Sequence, residues 1–342
     1  TADPRVPNAV RCQLRYTPSA SSIIGTAKVR QANFVSKGKL LTSMRRILFI
    51  FSCLFTIFIV TNCAAPEVSL VTPTAEVLST PFLSIQTPEP TATPQDTPVP
   101  TPIRCTEKNG RIINVDVPTD RLTQPVNTNI YLPPCYDPMI AEGYSMLLML
   151  HGQAASNDQW IRLGITNAAD DLIRQEEILP LIIVMPFEVT WTPGPSESQF
   201  DEALLEDVLP YVEANYAVCA QRACRAVGGL SRGGNWAVHL GFTHPEIFGV
   251  IGAHSTPLFY GEIWNIQAAA KLPADEIPLI FVDAGDRDAD KEKVAEFVTA
   301  LEEAGIPFDI FEFEGRHEES YWSAHVVDYL RLYAERLTRL QE

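Results

Sequence analysis

Positive charge is scarce in the part of this chain that carries regular structure. Residues 104–342 hold 17 lysines and arginines against 37 aspartates and glutamates. A surface of that sign repels phosphate backbones, so nucleic acid is not an expected partner; the same charge keeps an exported protein soluble. Long apolar runs are missing too. The stretch 47–60 has fourteen residues, whereas a spanning helix needs about 20. No internal repeat is visible. Metal-ligand spacing is also lacking: Cys219 and Cys224 form a Cys-x4-Cys pair with no histidine close by. That is poor for zinc, and no metal is expected.

What is present divides into regions. Residues 1–43 are basic and unpatterned, with Arg5, Arg11, Arg15, Lys28, Arg30, Lys37 and Lys39. Met44-Arg45-Arg46 then precedes the apolar run, which ends in Thr61-Asn62-Cys63-Ala64-Ala65. A positive start, an apolar core of this length and small residues beyond it are the layout of a secretion signal over residues 44–63. Cys63 sits where bacterial lipoprotein signals place their lipidated cysteine, although Asn62 departs from the usual small residue before it. An uncleaved anchor and ordinary secretion are the alternatives. The working hypothesis is that translation starts at Met44 and that 1–43 is annotation overhang or a disordered extension. Peptides from 1–43 in the native precursor would refute it. Residues 64–103 follow, with nine prolines between Pro66 and Pro102. Proline removes backbone donors and fixes φ, so this tract reads as an extended, solvated linker. The expected address is the cell envelope, outside the cytoplasm and lipid-anchored to the membrane.

Cysteine usage agrees with export. Cys105, Cys135, Cys219 and Cys224 are an even set in the folded region, and oxidising compartments favour pairing. Three connectivities are open. Cys105–Cys135 would bracket a hairpin and Cys219–Cys224 would close a short loop, so these pairs are expected.

Residues 104–342 read as one α/β domain. Alternating polarity at 111–117 and 126–132, stopped by Pro118 and by Pro133-Pro134, predicts early antiparallel strands. Residues 145–150 are continuously apolar after Ser145, as in a strand covered on both faces. A helix near 165–176, a strand at 181–185 and a helical pattern over 201–216 follow, the last kinked or restarted at Pro210. Then come strands 225–230, 248–253, 278–283 and 307–313, with helices 233–243, 290–304 and 322–340. Strands alternating with helices imply a mostly parallel sheet with helices on both faces.

Gly229-Leu230-Ser231-Arg232-Gly233 carries the chemistry. The Gly-x-Ser-x-Gly pattern puts a serine on a sharp strand-to-helix turn, where side chains two residues either way would collide with neighbours. Chance produces the pentapeptide in roughly one chain of this length in ten, so the strand before it and the amphipathic segment after it matter more. The pattern and its context point to the α/β-hydrolase fold. A hydroxyl needs a base and an acid to become a nucleophile. In this fold they follow in the order Ser, Asp or Glu, His. Gly285-Asp286-Arg287-Asp288 and Gly315-Arg316-His317 occupy the expected loops, with Asp288 the expected acid, Asp286 the alternative and His317 the base. Of the other histidines, His151 is expected to shape its loop, and His239, His244 and His325 to lie at the surface or in packing. His254 could line the pocket. An oxyanion needs two N–H donors: Arg232 is one expectation and Gln153 the other, with Gly152 as the alternative to Gln153. Trp160, Trp191, Trp264 and Trp322 are core residues or stacking surfaces, and residues 191–196 a loop over the pocket.

From about residue 126 onward the chain resembles the esterase family that includes feruloyl, acetyl-xylan and enterochelin esterases. In the first half the resemblance rests on Tyr131-Leu-Pro-Pro134, Leu147-Leu-Met-Leu-His-Gly152, Asn157-Asp-Gln-Trp160 and Ile183-Val-Met-Pro186. In the second half it rests on Leu209-Pro-Tyr-Val-Glu213, Gly229-Leu-Ser-Arg-Gly-Gly234 and the two loops that end in Asp288 and His317. It implies a serine hydrolase without metal or organic cofactor, acting on a small-molecule or carbohydrate ester, and its Gly-x-x-Asp spacing favours Asp288. Mycolyltransferases resemble the same family, so acyl transfer is an alternative outcome, as is a non-catalytic envelope binding protein. Glu318-Glu319 after His317 departs from the family pattern; the two acids either raise the histidine's pKa or, the favoured expectation, face solvent.

Overall fold

The computed structural model describes residues 28–31, 105–189 and 194–342. The signal-like run, Cys63, the Pro/Thr tract and Trp191 lie outside the described residues. The chain order begins with strand β1 (Lys28–Gln31), a short element inside the segment where none was expected. Strands β2 (Arg111–Val117), β3 (Val126–Leu132) and β4 (Ser145–Leu150) follow. Helices α1 (Gln159–Arg162) and α2 (Ile165–Arg174) lead to β5 (Leu181–Pro186). Next are α3 (Phe200–Ala203), α4 (Leu209–Asn215), β6 (Arg225–Leu230) and α5 (Arg232–Thr243). The rest is β7 (Val250–His254), α6 (Glu262–Ala269), β8 (Leu279–Gly285), α7 (Lys291–Ala304), β9 (Phe308–Phe313) and α8 (Glu319–Gln341).

The strands form one sheet in the order β1-β9-β8-β7-β6-β4-β5-β3-β2. It is parallel from β5 through β9 and antiparallel at both edges. This is the α/β-hydrolase arrangement. The unbroken apolar run in β4 is explained by two covered faces. Met146, Leu148 and Leu150 pack into a cluster with residues of α4, α5 and α7. Leu147 and Met149 pack opposite, with residues of α1, α2 and α8. Period-two alternation thus serves two cores rather than one core and solvent.

The break expected at Pro210 lies just before it. Pro210 has no N–H to give to the carbonyl four residues back. Residues Leu204–Val208 form a π-helical turn between α3 and α4, and Pro210 sits in the first turn of α4. Both expected disulfides are present, Cys105–Cys135 and Cys219–Cys224. The first closes a loop with a sequence separation of 30, worth roughly 3–4 kcal/mol of unfolded-chain entropy.

Candidate active site

Ser231 stands between β6 and α5 at φ 52° and ψ −118°, a conformation that L residues avoid and that persists only when the surroundings enforce it. The enforcement is steric and hydrogen-bonded. A Cβ on Gly229 would lie 2.3 Å from the Gly233 carbonyl carbon, and one on Gly233 would lie 2.2 Å from the Leu150 carbonyl oxygen. The Ser231 N–H donates to the His254 carbonyl at 2.8 Å. The turn therefore stays sharp and holds its hydroxyl at the carboxyl edge of the sheet.

The loops after β8 and β9 bring the two expected partners to that edge. His317 Nε2 lies 3.0 Å from Ser231 Oγ, and His317 Nδ1 lies 3.0 and 3.2 Å from the two Asp288 oxygens. A serine hydroxyl donating to Nε2 and an Nδ1–H donating to the carboxylate satisfy both contacts with one neutral tautomer. Burial on its own would push the Asp288 carboxyl up. Hydrogen bonds from His317, the Ser255 side chain and the Asp290 N–H outweigh it and hold the group below the ordinary range. Asp286, the alternative acid, does something else: its Oδ1 accepts the Gly315 N–H at 2.8 Å and so pins the β8 loop to the β9 loop.

Of the expected oxyanion donors, Gly152 is spoken for, because its N–H donates to Gln159 Oε1 at 2.8 Å. The Gln153 N–H, next along the same turn, makes no hydrogen bond among the described residues. That turn lies against the Ser231 turn, since a Cβ on Gly152 would meet the Leu230 side chain at 2.7 Å. The Arg232 N–H follows Ser231 directly at the start of α5, where helix N–H groups point outward. The Arg232 side chain turns inward. It forms a buried ion pair with Glu188 at 2.8 and 2.5 Å and lies over the rings of Trp236 and Phe259. Trp236 Nε1 donates to the same carboxylate at 3.0 Å.

The remaining histidines are occupied elsewhere. His151 shapes its loop as expected: Nδ1 contacts the Gly152 carbonyl at 2.8 Å and Nε2 accepts the Glu188 N–H at 2.9 Å. Burial lowers its pKa and keeps it neutral. His254 does not line the pocket; it is fully buried, held between Asp283 and Tyr333. His239 is clamped between Glu262 and Asp201. Trp160 and Trp322 are buried, whereas Trp264 is exposed beside Tyr260.

The model of the Esterase family, described as Putative esterase, matches residues 119–333. The chain belongs to that family. It is 28% identical over 225 residues to an endo-1,4-beta-xylanase/feruloyl esterase of Xylanibacter ruminicola, a match covering 63% of this chain and 30% of that protein. The chain thus spans under a third of the length of the curated relative it matches. Among solved structures, a ferulic acid esterase superposes with a TM-score of 0.59 at 23% identity, covering 67% of this chain and 99% of the other. A mutant feruloyl esterase module from Clostridium thermocellum complexed with sinapinate gives 0.56 at 21%, covering 66% and 88%. At those identities the likeness establishes the α/β-hydrolase fold.

Two supports of the candidate site were not visible in the sequence. Ser255 is fully buried at φ 51° directly after β7. Its hydroxyl hydrogen-bonds Asp288 and accepts the Trp322 indole N–H at 3.2 Å. An indole N–H only donates, so the serine proton is left for the carboxylate. The second support is Glu319, which is exposed as expected but is also paired. It binds Arg162 at 2.9 Å and Gln159 Nε2 at 3.0 Å. Gln159 in turn holds the Gly152 N–H, so the segment after His317 is tied to the loop beside Ser231.

Proposed function

We propose that this esterase works through a Ser231–His317–Asp288 triad and an acyl-enzyme intermediate. Ser231 Oγ attacks the ester carbonyl carbon while its proton passes to His317 Nε2. Asp288 holds the ring in the reacting tautomer and stabilises the imidazolium that forms. The negative charge on the former carbonyl oxygen is met by the N–H groups of Gln153 and Arg232. Collapse of the tetrahedral species breaks the bond to the alcohol, which leaves with the proton from Nε2. Water then attacks the acyl-serine, giving its proton to Nε2, and the second collapse releases the acid and restores Ser231. The observation that carries this reading is the unbroken 3.0 Å contact on each side of the His317 ring.

The names of its relatives support carbohydrate-linked phenolic esters as substrates, and siderophore or acetyl esters share the same chemistry. Water is the proposed acceptor rather than a second alcohol. Ser231→Ala is expected to abolish hydrolysis of p-nitrophenyl acetate and labelling by a fluorophosphonate; retained turnover would overturn the triad, and ester products formed with added alcohols would favour acyl transfer. An intact nucleophile with its base argues against a purely binding role. Two disulfides support an oxidising location, and we place the mature protein at the envelope, anchored through Cys63. Metabolic labelling with a fatty acid, lost in Cys63→Ala, tests the anchor.

A further inference from the structure

A peptide unit is planar, and a trans peptide points its C=O and its N–H in opposite directions. Whatever holds the carbonyl therefore aims the N–H across the same bond. Both N–H groups proposed to meet the oxyanion belong to trans peptides whose carbonyls are held. The Arg232 N–H shares its peptide with the Ser231 carbonyl, which accepts the Asn235 N–H at 3.1 Å as α5 begins. The Gln153 N–H shares its peptide with the Gly152 carbonyl, which lies 2.8 Å from His151 Nδ1. Helix backbone orients the first donor. A histidine side chain orients the second.

The tautomer of that histidine follows from its other partner. His151 Nε2 accepts the Glu188 N–H, 2.9 Å away, so the ring proton sits on Nδ1 and is donated to the Gly152 carbonyl. The ring is not free to turn aside. It is buried, the Phe187 ring packs beside it at 5.5 Å, and the Glu188 that holds it is itself locked by Arg232 and Trp236. The preceding peptide is fixed as well, because the Gly152 N–H donates to Gln159 Oε1. One further bond reaches the Gly152 carbonyl, from the Ala155 N–H at 3.2 Å. It is longer, and it closes a turn whose exposed Ala154 stands at φ 60°, so it is the weaker restraint.

We propose that His151 is a positioning residue for the oxyanion site: its Nδ1–H aims the Gln153 N–H, and through Glu188 it shares one scaffold with Arg232. The inference rests on the ester-hydrolase reading above and adds a group that acts on the reaction without touching the substrate. Two substitutions separate the ring nitrogens. An Asn side chain can present an N–H where Nδ1 stands, and a Gln side chain an oxygen where Nε2 stands. His151→Asn should keep kcat for p-nitrophenyl acetate within about threefold of the wild type. His151→Gln should lower it about tenfold with KM little changed, less than the roughly hundredfold cost of a deleted donor because Ala155 still holds the carbonyl. Affinity for a phenylboronic acid, which forms a tetrahedral adduct on the serine, should fall by the same factor in His151→Gln alone. A purely structural role would destabilise both variants without separating their rates or their boronate affinities. Equal rate losses in the two would overturn the proposal and leave the esterase reading intact; an inactive wild type would overturn both. Should either variant fail to fold, nitrogen NMR of the labelled wild type decides: the His151 proton should be on Nδ1, and boronate should move the Gln153 amide proton downfield. A proton on Nε2, or an unmoved Gln153 amide, would refute the assignment.

Discussion

The molecule contains two histidine–aspartate couples, and they differ instructively. His317 and Asp288 meet at the loop edge, with the histidine side chain 22% exposed and its far nitrogen on Ser231. His254 and Asp283 meet inside, 2.6 Å apart and essentially without solvent access, with the far nitrogen 2.9 Å from the Tyr333 hydroxyl. Asp283 also accepts hydrogen bonds from Tyr321 and Tyr329 at 2.6 and 2.9 Å. Burial first, and then the Asp283 charge, push those phenols far up, so they stay protonated donors. The two couples use the same tautomer logic. One ends on a hydroxyl in strained backbone at a cleft; the other ends on a phenol that fills the space over Gly228 and Gly252. Access and partner separate the couple we propose as reactive from a structural one.

Exchanging the histidines is the sharpest way to break that comparison. His317→Ala should cut turnover of an activated ester about ten-thousandfold while leaving the denaturation midpoint nearly unchanged. His254→Ala should do the reverse. It removes the partner of the buried Asp283 Oδ1 while Tyr321 and Tyr329 still hold Oδ2, which costs about 1–3 kcal/mol, so urea melts should shift while activity per folded molecule persists. Equal effects of the two on stability would erase the distinction.

A third histidine gives a pH-dependent version of the structural role. His239 is pushed up to about 9, because Asp201 and Glu262 outweigh the desolvation that would lower it. A raised folded-state value means its stabilisation is complete below about 6.5, its ordinary value, and is lost as pH rises through about 9. Thermal melts should therefore fall across that window, and His239→Gln should flatten the dependence. A smaller effect is expected from Ser255→Ala. Removing the hydroxyl that holds Asp288 low should reduce kcat about tenfold with little change in KM. The carboxylate should then protonate at higher pH, so activity should fail earlier on acidification than in the wild type. A loss confined to stability would assign Ser255 to packing alone.

What could be read from the chain beforehand was local. Ser231, Asp288 and His317 each end or follow an apolar strand, and their loops carry glycine signals that mark turns. The alternation of strands and helices likewise predicted the sheet. What escaped depends on distant partners. Ser255 reads as one more polar loop residue until Trp322, 67 positions away, supplies the donor. Glu319 looks solvated until Arg162, 157 positions earlier, is folded against it. The helices α1 and α6 were missed because four and eight residues are too few to establish a 3.6-residue period.

The link between Cys105 and Cys135 has a mechanical consequence. β2 is the outermost strand on its side of the sheet, the one that a pull on the preceding chain would otherwise unzip residue by residue. Because the bond joins the position before β2 to the position after β3, tension arriving at residue 105 bypasses the hairpin and is borne by the chain beyond residue 135. The outer ribbon hangs slack within that covalent ring, shielded by the bond from the pull that would have peeled it.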